Sequence, residues 1–137
     1  MRAYADFHRT FAGSTEGTTR VTLDRFGTLR DLCAAGVRLH EGMLMTLYAD
    51  SDVNEDIEVD AVVVWMPASP WHEATWGGEY ESDSFRYVVA PPGLAPGIFP
   101  CVQCGANLQE QISREGMSPA GTCPSCGTRI HAPLDPP

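Results

Sequence analysis

The sequence contains no lysine: all nine basic side chains are arginine, against eighteen Asp and Glu residues. The net charge at pH 7 is therefore −9. Proteins that grip phosphate backbones use clustered Lys and Arg side chains to do so. A chain this acidic is expected to repel nucleic acid and anionic membranes, and to attract a protein partner with a basic surface.

Long apolar stretches are also missing. The longest purely apolar run, residues 61–66, is far too short to span a bilayer. The first residues, MRAYADFHRTF, place charges where a secretory leader needs an apolar region. We therefore expect a soluble, cytoplasmic protein. In that reducing compartment, paired cysteines favour metal binding over disulfides.

Catalytic motifs are absent as well. The sequence has no glycine-rich phosphate loop, no GxSxG and no HExxH. Residues 50–56, DSDVNED, begin like a calcium loop, but Glu55 and Ala61 stand where the loop needs a glycine and a bidentate acid. This segment is better explained as a solvated hairpin loop. We expect that the protein is not an enzyme.

Four of the five cysteines form two copies of one short pattern. Cys101 and Cys104 lie in CVQCG, and Cys123 and Cys126 lie in CPSCG. Two residues between thiols let both sulfurs reach one metal, and the following glycine permits the positive φ that a tight knuckle needs. Eighteen residues separate the pairs, a spacing typical of structural four-cysteine zinc sites.

On these motifs, residues 99–131 resemble the zinc-ribbon family, also called rubredoxin-like. The resemblance implies a three-stranded ribbon whose two knuckles clasp one Zn²⁺ through Cys101, Cys104, Cys123 and Cys126. Rubredoxins hold iron in the same knuckles and transfer single electrons, so iron is the alternative metal. They pack several aromatic rings around that iron, whereas residues 100–131 contain none. The comparison favours Zn²⁺.

Zinc ribbons often bind nucleic acid or proteins of the transcription and translation machinery. In this segment the basic side chains are Arg114 and Arg129, without stacking aromatics. That composition favours a protein partner over nucleic acid.

The chain divides by composition into four parts. Residues 1–90 form the body, 91–98 a Pro/Gly linker, 99–131 the ribbon and 132–137 a tail. The patterns of the body predict a mainly β fold: a small antiparallel SH3-like β-barrel with one short helix. A ferredoxin-like α+β layer is the main competitor, but it requires a second good helix. The predicted strands are 4–11, 20–23, 43–49, 57–66, 71–76 and 85–89.

The short helix is predicted from a cap and a stop signal. Thr28 is the expected N-cap, and Gly36 is placed to end the helix in the left-handed conformation. Leu29, Leu32 and Cys33 share one face at helical spacing. Cys33 is interpreted as a small buried hydrophobe rather than a nucleophile.

Three tryptophans cluster around one predicted hairpin. Trp71 and Trp76 are candidates for a partner-binding surface, because exposed aromatics often bind peptides on small β domains. The competing and favoured interpretation is that Trp65, Trp71 and Trp76 fill a small core.

These observations lead to one functional hypothesis with two alternatives. The chain is expected to be a non-enzymatic, zinc-binding adaptor or regulatory protein that binds another protein. The alternatives are a rubredoxin-like iron electron carrier and a nucleic-acid-associated zinc-ribbon protein.

Overall fold

The computed structural model describes residues 1–115 and 121–137. Within them lie seven strands, two α-helices and a 3₁₀ turn at Ala132–Leu134. In chain order the elements are β1 (Arg2–Tyr4), β2 (Thr10–Ala12), β3 (Thr18–Thr22), α1 (Phe26–Ala35), β4 (Leu44–Asp52), β5 (Glu55–Met66), β6 (Thr75–Glu81), β7 (Arg86–Val89) and α2 (Gln109–Glu115).

The strands form one sheet, so the expectation of a mainly β fold is confirmed. Its order is β1-β4-β5-β6-β3-β2, with β7 also paired to β5, on the edge opposite β4. Only the β1–β4 pair is parallel. The closed SH3-like barrel is not confirmed, because β1 and β2 stand at opposite ends of the order and do not pair with each other.

Strand β5 is the longest strand and organises the sheet. One of its edges pairs with β4, and the other is shared between β7 at Glu55–Glu58 and β6 at Val62–Met66. The turn before β5 passes through Asn54 at φ 60°, within the acidic hairpin that the sequence suggested. The sheet core packs around Val59 and Val63, both fully buried.

Two predicted strands differ from the observed ones. The 71–76 strand is shifted to Thr75–Glu81, and the 4–11 strand is split into β1 and β2. The observed β6 continues through Gly77 and Gly78, although glycine weakens strands. Packing reverses this preference: a Cβ on Gly78 would lie 2.6 Å from Leu47 Cδ1.

Helix α1 begins before the predicted cap. It starts at Phe26, and its N-cap residue, Arg25, makes no side-chain cap hydrogen bond. Thr28 lies inside the helix, and its hydroxyl donates to the Tyr4 carbonyl at 2.6 Å. The prediction of Thr28 as a cap is therefore wrong. Gly36 ends the helix as predicted, with φ 67°.

The other inward polar side chain of α1 is Asp31. Its Oδ2 accepts the Tyr4 N–H at 2.8 Å and the Tyr48 hydroxyl at 2.7 Å. Thr28 and Asp31 thus satisfy both backbone polar groups of Tyr4 on the side of β1 away from β4. A short edge strand that would present open hydrogen-bonding groups is covered by the helix.

The charge of Asp31 has a cost. Burial raises the pKa of its carboxyl, and this effect outweighs the opposing hydrogen bonds from Tyr48 and Tyr4. A raised folded-state pKa means that the stabilising contribution is complete below the unfolded value of about 3.9. It is lost as the pH rises through the folded value.

We therefore predict opposite results for two substitutions at this position. Asp31→Asn keeps an oxygen acceptor without the charge, and should be at least as stable as the natural protein at pH 8. Asp31→Ala leaves two buried donors unpaired and should lose about 1–3 kcal/mol. Urea unfolding between pH 4 and pH 8 measures both. A loss for Asp31→Asn at pH 8 equal to that for Asp31→Ala would contradict the assignment.

Candidate metal centre

The first cysteine pair lies in a tight backbone loop. The Cys101 N–H donates to the Ala106 carbonyl at 2.8 Å, and the Gly105 N–H donates back to the Cys101 carbonyl at 2.9 Å. Gly105 has φ 76°, a conformation that side chains resist. The Gln103 N–H points at Cys101 Sγ, 3.4 Å away. The loop therefore directs a backbone N–H group at a cysteine sulfur, an arrangement that the positive φ of the glycine permits.

The second pair repeats this geometry. The Cys123 N–H donates to the Thr128 carbonyl, and the Gly127 N–H donates to the Cys123 carbonyl, each at 2.8 Å. Gly127 has φ 77°. Two segments with different intervening residues thus adopt the same knuckle.

The sulfur atoms of the four cysteines form one compact cluster. Cys101 Sγ lies 3.6 Å from Cys126 Sγ, and Cys104 Sγ lies 3.7 Å from Cys123 Sγ. All four lie within 4.8 Å of one another. A disulfide would need about 2.05 Å. A tetrahedral ion with metal–sulfur bonds of about 2.3 Å places its sulfurs about 3.8 Å apart. The cluster therefore has the dimensions of a four-thiolate metal site.

The surroundings of the second knuckle favour thiolates. The Thr128 hydroxyl, 3.2 Å from Cys126 Sγ, and the Thr128 N–H lower the pKa of Cys126 to about 6. Burial opposes ionisation of Cys123, but the N–H groups of Cys126 and Ser125 outweigh it and lower the Cys123 pKa. Metals bind the deprotonated sulfur, and these donors favour that form at Cys123 and Cys126. At Cys104, burial and the neighbouring thiols instead raise the pKa to about 11.

The segment between the knuckles differs from the three strands that the resemblance implied. Its described part contains the short helix α2. Ile112 within this helix and Leu108 just before it are both buried, four residues apart. Isolated bridges flank the knuckles, Pro100 with Asn107 and Thr122 with Arg129. Residues 116–120 and the Arg114 side chain lie outside the described part of the chain.

Helix α1 packs against the cysteine module. Leu29 and Cys33 pack in one apolar cluster with the buried residues of the cysteine module: Phe99, Cys101, Leu108, Ile112, Cys123 and Ile130. Leu32, on the neighbouring side of the helix, belongs instead to the sheet core. Sequence reasoning found one apolar face and missed that it serves two clusters. The available signal was the spacing: Leu29 and Cys33 are four residues apart and lie along one line of the helix, whereas Leu32 lies beside that line.

The linker and tail also hold contacts to the body. Arg30 donates to the carbonyls of Ala95 and Ile98, at 2.8 and 2.9 Å. The Leu39 N–H donates to the Pro133 carbonyl at 2.9 Å. The boundaries at 91–98 and 132–137 stay sequence predictions, but an apolar cluster and several hydrogen bonds cross them.

Cys33 is near the four thiols but outside their group. It is 3% exposed, and its Sγ donates to the Ile130 carbonyl at 4.0 Å. Burial, with a further contribution from Cys101, raises the pKa of Cys33 to about 12. A protonated thiol in an apolar cluster behaves as a small hydrophobe.

The two candidate partner-binding tryptophans lie in different environments. Trp76 is 1% exposed, stacks edge-to-face with Trp65 at 5.1 Å, and donates from Nε1 to the Asp135 carbonyl. Trp71 is 77% exposed and precedes β6. Of the two, only Trp71 exposes its ring to solvent.

The fold and the site together define a mainly β protein with a four-cysteine cluster able to hold a metal ion. Comparison with known protein families, curated proteins and solved structures finds no match to the chain. Neither helix in the described residues has the length and apolar character needed to cross a membrane.

Metal removal should affect α1 as well as the cysteine module, because the module covers Leu29 and Cys33. Losing the burial of one leucine costs about 1.5–3 kcal/mol, so amide exchange in the second half of α1 should accelerate by more than about tenfold. Exchange of central β5 amides, around Val63, should change little and serves as the internal control. Hydrogen exchange with and without a chelator measures this. Release of residues 99–131 with unchanged protection in α1 would disprove the coupling.

Proposed function

We propose that this protein is a non-enzymatic, zinc-binding adaptor that binds another protein in the cytoplasm. The observation that carries the proposal is the group of four thiols at tetrahedral separation. A Zn²⁺ ion held by four thiolates has no position left for water or substrate. Such an ion stabilises structure and does not activate a nucleophile.

Zinc is favoured over iron by the surroundings of the sulfurs. Iron in rubredoxin-like knuckles lies among several aromatic rings, whereas this apolar cluster is mostly aliphatic. Phe99 is its one fully buried aromatic ring in the described residues, with Phe26 tilted against it at 5.5 Å. The sulfur–sulfur distances suit either metal, so the choice rests on this environment.

The arginines are largely occupied by contacts within the chain, which favours a protein partner over nucleic acid. Arg30 is bound to two carbonyls. Five others pair with carboxylates: Arg2, Arg20, Arg25, Arg86 and Arg129. Phosphate backbones need clustered basic side chains free to reach them. Exposed carboxylates remain on the sheet hairpins, at Asp50, Asp52, Glu81 and Asp83, and support a basic partner surface.

Trp71 is the best-placed anchor for that partner. Its ring is exposed, and Glu73, two residues further along the chain, is also exposed. Tryptophan is enriched among the residues that dominate binding energies, and nearby acids would orient a basic surface around it.

The first test concerns the metal. The purified protein should contain a single Zn²⁺ per chain by elemental analysis. Cys104→Ser and Cys126→Ser remove exposed sulfurs without opening the apolar cluster, and each should lose most of the metal. Cys33→Ala, the matched control, should keep it. Stoichiometric iron and a coloured protein would replace this proposal with the electron carrier.

The second test concerns the partner. The immobilised protein should retain a basic protein from a nuclease-treated extract of the native source. Retention should fall as added salt shortens the Debye length below about 10 Å. Trp71→Ala should reduce it while the melting temperature stays unchanged. Tyr87→Ala, which removes another exposed ring, 65% accessible, is the control and should have no effect.

Two outcomes would count against the adaptor. In a parallel retention experiment with extract that has not been treated with nuclease, recovery of nuclease-sensitive nucleic acid without a protein would support the alternative that the charge distribution disfavours. Equal losses for Trp71→Ala and Tyr87→Ala would remove Trp71 from the interface.

A further inference from the structure

A cleft of about 600 Å³ lies on the sheet, away from the cysteines. Its apolar walls come from Phe7, Ile57, Tyr80 and Phe85, and its mouth carries Asp6 and Asp50. The volume falls within the range of small-molecule sites, about 300–1,000 Å³. Neither the metal centre nor the proposed Trp71 contact uses this cleft.

The aromatic part of the wall is preformed. The ring of Phe7 meets Phe85 at 5.0 Å and Tyr80 at 5.9 Å, and Tyr80 meets Phe85 at 5.2 Å, all edge-to-face. Three rings that brace one another in this way lose little freedom when a ligand arrives. Phe7 and Phe85 stay half-exposed, so apolar surface is available to an apolar ligand body.

Tyr80 places an unpartnered polar group in this apolar wall. The residue is only 5% exposed, yet its hydroxyl makes no hydrogen bond to any described residue. Nor does that oxygen belong to the unpartnered polar atoms sealed from solvent. The hydroxyl oxygen therefore keeps some solvent exposure, on a residue that lines the cleft. Buried polar groups are ordinarily paired, so a ligand with a matching polar atom gains a hydrogen bond here.

The mouth of the cleft is negatively charged. Asp6 Oδ2 lies 3.4 Å from a terminal guanidinium nitrogen of Arg25, which offsets part of the negative charge of Asp6. Asp50 is exposed and has no ion-pair partner among the described residues. The lining contains His8 but no arginine. Carboxylates beside a low-dielectric wall attract a cation and repel an anion.

We propose that this cleft binds a small aromatic amine that carries a second polar group at the far end of its apolar body. The ammonium group lies at the mouth, beside Asp50. The ring packs against Phe7 and Phe85, and the far polar group bonds to the Tyr80 hydroxyl. This binding uses neither Trp71 nor the four cysteines.

The test uses three probes of nearly equal size. Tyramine has both the ammonium and the far hydroxyl, phenethylamine lacks the hydroxyl, and 3-(4-hydroxyphenyl)propionate replaces the ammonium with a carboxylate. Amide chemical shifts of the full chain should report saturable tyramine binding below about 10 mM, centred on the cleft. Phenethylamine should bind about three- to tenfold more weakly, and the anion should not saturate.

Two variants with matched controls complete the test. Tyr80→Phe should abolish the difference between tyramine and phenethylamine, because it removes the hydroxyl that distinguishes them. Tyr87→Phe should preserve that difference. Asp50→Asn should weaken both amines about two- to fivefold, and Asp83→Asn should not.

Each failure overturns the proposal. An absence of saturable shifts, or anion binding as tight as that of tyramine, would exclude an amine site. A tyramine preference that survives Tyr80→Phe would remove Tyr80 from recognition. Since the probes are small molecules and the partner experiment measures protein retention, either result stands without the other.

Discussion

The way the sheet and the cysteine module are held together depends on the burial of helix α1 between two apolar clusters. Leu32 packs in the sheet core, while Leu29 and Cys33 pack beneath the cysteine module. Each leucine contributes about 1.5–3 kcal/mol when it is fully buried. The helix has ten residues, too few to be stable in isolation, so packing on both sides is what maintains it. The sheet and the cysteine module thereby become parts of one structure through a helix that serves both.

The same helix solves a second problem, the open edge of β1. That strand has three residues and pairs only with β4. Its outward peptide groups at Tyr4 would invite pairing with another chain, and the side chains of Thr28 and Asp31 occupy them instead. The helix can approach this closely because residue 27 is glycine: a Cβ there would lie 2.8 Å from the Tyr4 ring. The contacts that cover the edge of β1 are therefore the same contacts that position α1 on the sheet.

The sequence predicted best what depends on near neighbours. Knuckle geometry follows from two residues and a glycine, so the cluster of Cys101, Cys104, Cys123 and Cys126 could be foreseen. The end of α1 at Gly36 is equally local. Features that depend on distant contacts could not. Thr28 resembles a cap until Tyr4 lies against it, and Gly78 looks like a strand breaker until Leu47 fills the space beside it. The cover over Leu29 comes from residues some seventy or more positions away.

The cysteine cluster and the groups proposed to bind a partner or ligand lie in different parts of this chain. The four-cysteine cluster packs against α1 through the apolar cluster that contains Cys101, Cys123 and Leu29. Most of the arginines are engaged in pairs within the chain, so the surplus charge belongs to the exposed acids. The groups left with unused binding capacity, the Trp71 ring and the Tyr80 hydroxyl, lie on the sheet and its loops. The four-cysteine cluster packs on the other side of α1 from the sheet core, so the proposed partner and ligand contacts are separate from it.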